Sequence, residues 1–194
     1  MSVTTRVLTG ESLAAALDDV ARLRIAVFRD WPYLYDGNAD YERDYLRAYR
    51  SPGAVVVAAM DGARIVGAAT GAPMTDHAED FATAFADRPE KLSRIFYCAE
   101  SVLLPAYRGR GIGHAFFDAR EAHARDLGHD FSAFCSVIRP ADHPARPADY
   151  RPLDDFWRKR GYAPLDGVFA RFSWKDLGQP RETEKKLQFW MRPL

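Results

Sequence analysis

The stretch from residue 93 to 138 constrains the fold more than any other part of the chain. An apolar run, Ser93 to Leu104, ends at Pro105, and Gly111 to Leu127 then carries Ile112, Ala115, Phe116, Ala119, Ala122 and Leu127 at helical spacing until Gly128 stops it. Phe131 to Ile138 is a second apolar run. Strand, helix and strand of this length form a βαβ unit, whose outer strands run parallel through a right-handed crossover. The chain is therefore expected to be an α/β protein with a helix laid on its sheet.

The remaining segments fit around that unit. Val3 to Leu8 reads as a short strand, and Leu13, Leu17, Val20, Leu23, Ile25, Val27 and Phe28 recur at helical spacing after Thr9-Gly10-Glu11-Ser12. Trp31-Pro32 stops that helix, Tyr33 to Gly37 follows as a loop, and Asp40 to Tyr49 reads as a second helix. Ala54 to Met60 and Arg64 to Thr70 pair as antiparallel strands across Asp61-Gly62-Ala63. Pro73 to Arg94 spaces Phe81, Phe85 and Leu92 on one shallow face, which predicts an inserted, partly buried helix. Arg139 to Arg151 is a proline-rich irregular loop, Leu153 to Arg160 a short helix, and Val168 to Trp174 and Lys186 to Arg192 the last strands. With 194 residues and 47% hydrophobic content, one domain over residues 1–194 is expected.

Charge and cysteine content narrow the function classes. Lys plus Arg and Asp plus Glu each total 27, so no net field favours nucleic acid or an anionic membrane. Cys98 and Cys135 lie in apolar runs and read as buried thiols rather than a disulfide framework. The N-terminus lacks a secretion signal and no run is long enough to span a membrane, so a cytoplasmic protein is expected. His77, His114, His123, His129 and His143 are scattered without ligand spacing, and no metal is expected.

The turn inside the βαβ unit reads Arg108-Gly109-Arg110-Gly111-Ile112-Gly113. Glycines at 109, 111 and 113 leave successive backbone N–H groups open to phosphate oxygens, the helix N-terminus adds positive potential, and Arg108 and Arg110 add charge. A diphosphate suits such a turn, and a plain strand-to-helix connection is the competing reading. A dinucleotide-binding turn needs Gly where Arg108 stands, and a Walker loop needs Gly-Lys-Ser or Gly-Lys-Thr, which is missing.

Residues 108–113 resemble the Arg/Gln-x-x-Gly-x-Gly/Ala signature of the GNAT N-acetyltransferases. Pro105 and Tyr107 before it fit as well, and Asp155-Phe156-Trp157-Arg158-Lys159-Arg160-Gly161-Tyr162 resembles the family's later helix end. The resemblance implies a GNAT fold: a mixed, mostly antiparallel sheet of about seven strands flanked by helices and splayed at an acetyl-CoA site. It implies that the amides of Gly109, Arg110, Gly111, Ile112, Gly113 and His114 hold the coenzyme diphosphate, while backbone groups of Val102, Leu103 and Leu104 bind the pantetheine arm like an added strand. The strand from Ala99 to Leu104 is then parted from Phe131 to Ile138, and an N–H near Leu103 or Leu104 polarises the acetyl carbonyl. The basic run Arg158-Lys159-Arg160 reads as a solvated helix end that also lies within reach of the coenzyme's nucleotide phosphate.

Aminolysis of a thioester needs a neutral amine and a proton for the departing thiolate. Glu100 is the one carboxylate in the apolar run Ile95 to Leu104, and burial there is expected to raise its pKa into the range of a base. The alternative is that Glu100 points to the other face and pairs with an arginine; a bulge would shift the parity, so alternation leaves both open. Tyr97 and Ser101 are the fallback polar groups. Many family members place a thiolate-protonating tyrosine four residues before the later glycine, where this chain has Trp157, so Tyr150 is the candidate acid, with core packing as its competing role.

The aromatic-rich region Phe28 to Tyr49 resembles the family's variable acceptor element, and Trp31, Tyr33 and Tyr35 are the candidate substrate contacts. Rings with Asp30, Asp36, Asp40 and Asp44 suit an amine through cation–π contact and ion pairing, and a packed subdomain is the alternative. The reading is direct acetyl transfer from acetyl-CoA to a small-molecule primary amine, with a protein amine as the rival acceptor, a silent coenzyme A-binding module as the rival class, and a homodimer left open.

Overall fold

The computed structural model describes residues 3–194. The chain runs β1 (Thr4–Leu8), α1 (Gly10–Phe28), α2 (Ala39–Tyr45), β2 (Val55–Asp61), β3 (Arg64–Pro73), α3 (Ala78–Phe81), β4 (Ile95–Tyr97), β5 (Ser101–Leu103), α4 (Ile112–Asp126), β6 (Phe131–Val137), α5 (Asp154–Lys159), β7 (Ala163–Trp174) and β8 (Thr183–Pro193). Its 8-stranded sheet has the order β1-β2-β3-β4-β6-β8-β7, with β5 paired to β3 off that path. The β4–β6 pair is parallel, connected through α4 as the sequence requires, and the other pairs are antiparallel. The sheet is thus mixed and mostly antiparallel.

Helices cover both faces, which explains why β2 is apolar throughout instead of alternating. Val56 and Ala58 pack with Leu13, Leu17, Val20 and Leu23 of α1, whereas Val55 and Val57 pack with Ile112, Phe116 and Phe117 of α4. Each face so becomes a core, and α1 and α4 are held at fixed positions on opposite sides of β3 and β5. Among the described residues no helix is long and apolar enough to cross a membrane.

Two segments differ from the sequence expectation. The inserted helix over residues 73–94 is reduced to two 3-10 turns, Met74–His77 and Leu92–Arg94, with the four-residue α3 and irregular turns between them. Pro89 disfavours helical geometry just before it, and the segment's role is to set Phe81 and Phe85, 0% and 4% exposed, into a core with Tyr97 and Phe189. The single strand expected from Ser93 to Leu104 is divided into β4 and β5, and that division makes the site.

Candidate active site

Opposite β3, Ala72 pairs with Tyr97 and Ala69 with Ser101, so Thr70 and Gly71 face Cys98, Ala99 and Glu100. One extra residue on the outer strand is a β-bulge, which bends the strand and shifts its side-chain parity. Before the bulge β4 pairs with β6, and the last bond across that seam runs from the Cys98 N–H to the Ala133 carbonyl at 2.8 Å. After it, β5 pairs with β3 alone while β6 continues to Val137 along β8. The sheet is therefore parted between β5 and β6.

Arg120 of α4 braces the bulge. Only 1% exposed, it donates from Nη1 to the carbonyls of Thr70 and Glu100, both at 3.0 Å, and from Nη2 to Ser101 Oγ at 2.9 Å. Each carbonyl also accepts a backbone N–H, from Ala99 and Thr70 respectively, so Arg120 adds a second bond to both strands at the irregular join. Along β5 the Thr70 N–H donates to the Glu100 carbonyl and the Leu104 N–H to the Val66 carbonyl. Antiparallel alternation then turns the backbone groups of Val102 toward β3 and those of Ser101 and Leu103 toward the opening. This corrects the expected pantetheine contacts: the Val102 backbone groups and the Leu104 N–H are turned into the sheet and the Leu104 carbonyl accepts from Tyr107, whereas the backbone of Leu103 faces the opening.

At the mouth of the opening, the chain passes through Gly109 at φ 75° and Gly111 at φ 77°, left-handed conformations that glycine adopts without strain. Both residues have open space where a Cβ would stand. The N–H groups of Gly109, Arg110, Gly111, Ile112 and Gly113 donate to no protein atom among the described residues, while the His114 N–H bonds the Gly111 carbonyl at 3.0 Å. His114 therefore drops out of the expected cradle; its ring lies against Phe156 and its Nδ1 is 3.2 Å from Arg160. Arg108 reaches back to the Leu103 carbonyl and Arg110 to that of Ala106. Free amides at the start of α4 match what a diphosphate needs.

On the α1 and α2 face, a cavity of about 90 Å³ reaches the parted strands. Its walls include Phe28, Tyr33, Tyr35, Tyr45 and Trp174, and its floor at the sheet is formed by Tyr97, Ala99, Glu100 and Cys135. Glu100, 5% exposed, does pair with an arginine: Arg24 of α1 binds both Glu100 and Glu42 of α2. Thr70 Oγ1 and the Tyr49 hydroxyl donate to the other Glu100 oxygen, the latter at 3.2 Å.

The expected raised pKa of Glu100 is thus reversed. Burial pushes it up, but the Arg24 charge and the hydroxyls of Thr70, Tyr45 and Tyr49 outweigh burial and hold it below the usual carboxylate range. Tyr97 is raised well above the ordinary tyrosine value by burial and by neighbouring Cys135, whose Sγ lies 3.2 Å from its hydroxyl. Burial also pushes the Cys135 thiol up to about 12 and raises that of Cys98, so neither is a ready nucleophile.

The cavity collects Glu100, Tyr33 and Tyr35 but not Trp31 or Tyr150. Trp31 lies 5.1 Å from His143 and 5.9 Å from Tyr150, ring centre to ring centre, and Arg146 covers the Tyr150 ring. These two candidates belong to the packing of the proline-rich loop, which corrects their expected roles. Arg139 anchors that loop by donating to the carbonyls of Pro32 and Tyr33 and to Asp176. Trp157 packs on Phe134 and Trp190, away from the cavity walls.

Sequence reading missed Arg24, Glu42 and Arg120. The signal was there: Arg24 follows Val20 and precedes Phe28 by one helical turn, and Arg120 stands likewise between Phe116 and Ala124, so each is a charge on an apolar stripe. Among the described residues no group of His, Cys, Asp and Glu is arranged to hold a metal ion.

Comparison with known proteins agrees with this architecture. Solved structures that share the fold include a ribosomal-protein-alanine N-acetyltransferase from Brucella melitensis, 15% identical with a TM-score of 0.61 over 98% of this chain and 99% of that one. A phosphinothricin acetyltransferase from Sinorhizobium meliloti in complex with acetyl-CoA is 17% identical, with a TM-score of 0.60 over 100% and 89%. An N-acetyltransferase from Staphylococcus aureus is 14% identical, with a TM-score of 0.56 over 100% and 99%. No curated protein matches the sequence. The Acetyltransferase (GNAT) family matches residues 20–148, and the chain belongs to that family.

Proposed function

We propose that this chain transfers the acetyl group of acetyl-CoA to a primary amine of a small molecule by direct attack. The observation that carries the reading is the meeting of two features at one gap: unspent amides from Gly109 to Gly113 at its mouth and the aromatic-walled cavity on its α1 face. The amides would hold the diphosphate, and the Ser101 and Leu103 backbone groups the pantetheine arm, with the Leu103 N–H donating to the developing oxyanion. The coenzyme supplies the activated acetyl group; the chain orients it and manages protons.

In this reading Glu100 stays ionised and fixes the floor of the cavity, its charge favouring the positive nitrogen that develops on attack. The Tyr97 hydroxyl, kept protonated by burial and sited where β4 and β6 part, takes the acid role expected of Tyr150 and donates to the departing sulfur. A cavity of about 90 Å³ walled by aromatic rings supports a small acceptor over a protein side chain presented on a surface. The silent-module reading draws on Trp157 in place of the family tyrosine and on a Glu100 engaged by Arg24.

A thermal-shift titration with acetyl-CoA tests the first half, because ligand at a hundred times its Kd stabilises by about 2.7 kcal/mol. Thiol release with a panel of amines tests the second. Binding with no turnover across the panel would favour the silent module. Tyr97→Phe should lower kcat at least tenfold with acetyl-CoA affinity unchanged, and wild-type turnover in that variant rejects the hydroxyl as donor.

A further inference from the structure

Arg120 comes to the parted strands from α4, on the face opposite Arg24, and is almost wholly buried. Its Nε donates to the Phe116 carbonyl of its own helix at 3.2 Å, and its guanidinium lies 4.8 Å from the Phe117 ring centre. No carboxylate pairs with it among the described residues: Glu100 binds Arg24, and the buried Glu121 binds Arg160 and Arg192. An interior cation without a counter-charge is costly. The sheet carbonyls it reaches each accept a backbone N–H already, so the need to satisfy them does not account for its presence.

What its fork does touch is the join between two registers. Nη1 bridges the Thr70 carbonyl on β3 and the Glu100 carbonyl on the outer strand, and Nη2 reaches Oγ of Ser101, the first residue of β5. Before the join Ala72 pairs with Tyr97, and after it Ala69 pairs with Ser101. One planar guanidinium thus spans both strands and both registers. A slip of the join by one residue turns every following backbone group over, so that Val102 rather than Ser101 and Leu103 would face the opening.

We propose that Arg120 is a positioning residue for the acetyl transfer, an inference that rests on the proposed function: its fork locks the bulge in register and so aims the Leu103 N–H at the thioester carbonyl. Arg120 touches neither the acetyl group nor the amine and acts through the Glu100–Ser101 peptide. Hydrogen bonds from a charged donor are stronger than neutral ones, which suits a join where the regular ladder is interrupted. A lysine would keep the charge there, but a single ammonium does not reproduce the planar fork.

Infrared difference spectra of the full chain with acetyl-CoA, labelled with carbon-13 at the thioester carbonyl, test this without an acceptor. In wild type the bound carbonyl stretch should fall below that of free acetyl-CoA, as a hydrogen bond to its oxygen requires. Arg120→Met and Arg120→Lys should each lose most of that shift, while calorimetry finds affinity within about threefold of wild type because the diphosphate rests on the turn. A full shift in either variant overturns the proposal, since the fork is then not needed. A matching collapse of affinity, or unfolding of both variants, gives Arg120 a purely structural role and overturns it as well. Binding without a shift in wild type rejects the aimed N–H but leaves coenzyme binding standing; absence of binding in wild type removes the underlying transferase reading.

Discussion

The turn at residues 108–113 and the cavity around Arg24 open onto the same parting of the sheet but are made of different material. The turn is contiguous and exposed and presents main-chain N–H groups whose direction two left-handed glycines fix. The cavity draws side chains from α1, α2, the bulge, β6, β7 and β8, and holds buried charges that exist only because each has a partner. A site of amides tolerates the loss of a side chain; a site of paired charges does not. The contrast predicts where mutation damages the fold and where it damages binding alone.

The largest effect falls on Arg24. Arg24→Met leaves Glu42 and Glu100 buried side by side without their cation, and breaking a buried pair in this way costs about 3–5 kcal/mol. Chemical denaturation should show that loss, with Tm falling by several degrees; a variant within about 1 kcal/mol of wild type would mean that the carboxylates are not held as charges. The same substitution should leave the conformation of the turn intact.

Glu100→Gln comes next. It keeps the size of the side chain and leaves Arg24 on Glu42, so a loss of about 1–3 kcal/mol is expected from imperfectly matched hydrogen bonds. Turnover should fall far more than acetyl-CoA affinity, and equal activity would remove Glu100 from the chemistry. The folded-state pKa of Glu100 is depressed, so the unfolded chain binds more protons in acid. Its contribution to stability is fully present above the ordinary value of 4.5 and is lost as pH falls through the lower folded value. In Glu100→Gln the decline of Tm below that pH should be shallower than in wild type.

These two residues also mark where the sequence stopped being legible. The βαβ unit, the α1 stripe and the glycine turn are local patterns, and they stand in the structure close to where periodicity put them. The break between β4 and β5 left no local trace because Cys98 and Ala99 are as apolar as their neighbours; a bulge is a property of register against β3. Glu100 was recognised as buried, yet its partner lies 76 residues away and its pKa was judged on desolvation alone. Trp31 and Tyr150 were chemically suitable but pack against each other, a tertiary choice that composition does not encode.

On the turn, a smaller effect on the fold and a larger one on binding are expected from Gly111→Ala. A Cβ there meets no neighbour, so the cost is the left-handed conformation itself, roughly 1–2 kcal/mol. The added methyl would stand in the space left for phosphate oxygens. Calorimetric titration should show acetyl-CoA binding at least tenfold weaker, and unaltered affinity would show that the diphosphate does not sit on these amides.

Arg108→Ala is expected to do least and separates amides from charge within the turn. Arg108 is exposed, and its Nε reaches the Leu103 carbonyl at a long 3.3 Å, so the fold should be indifferent to its loss. If the main-chain N–H groups carry the diphosphate, affinity for acetyl-CoA should fall only a few-fold in low salt, with the gap closing as added salt screens the guanidinium. A loss as large as that of Gly111→Ala, persisting at high salt, would move the recognition of the coenzyme from the backbone to the side chain and bring the turn into line with the cavity.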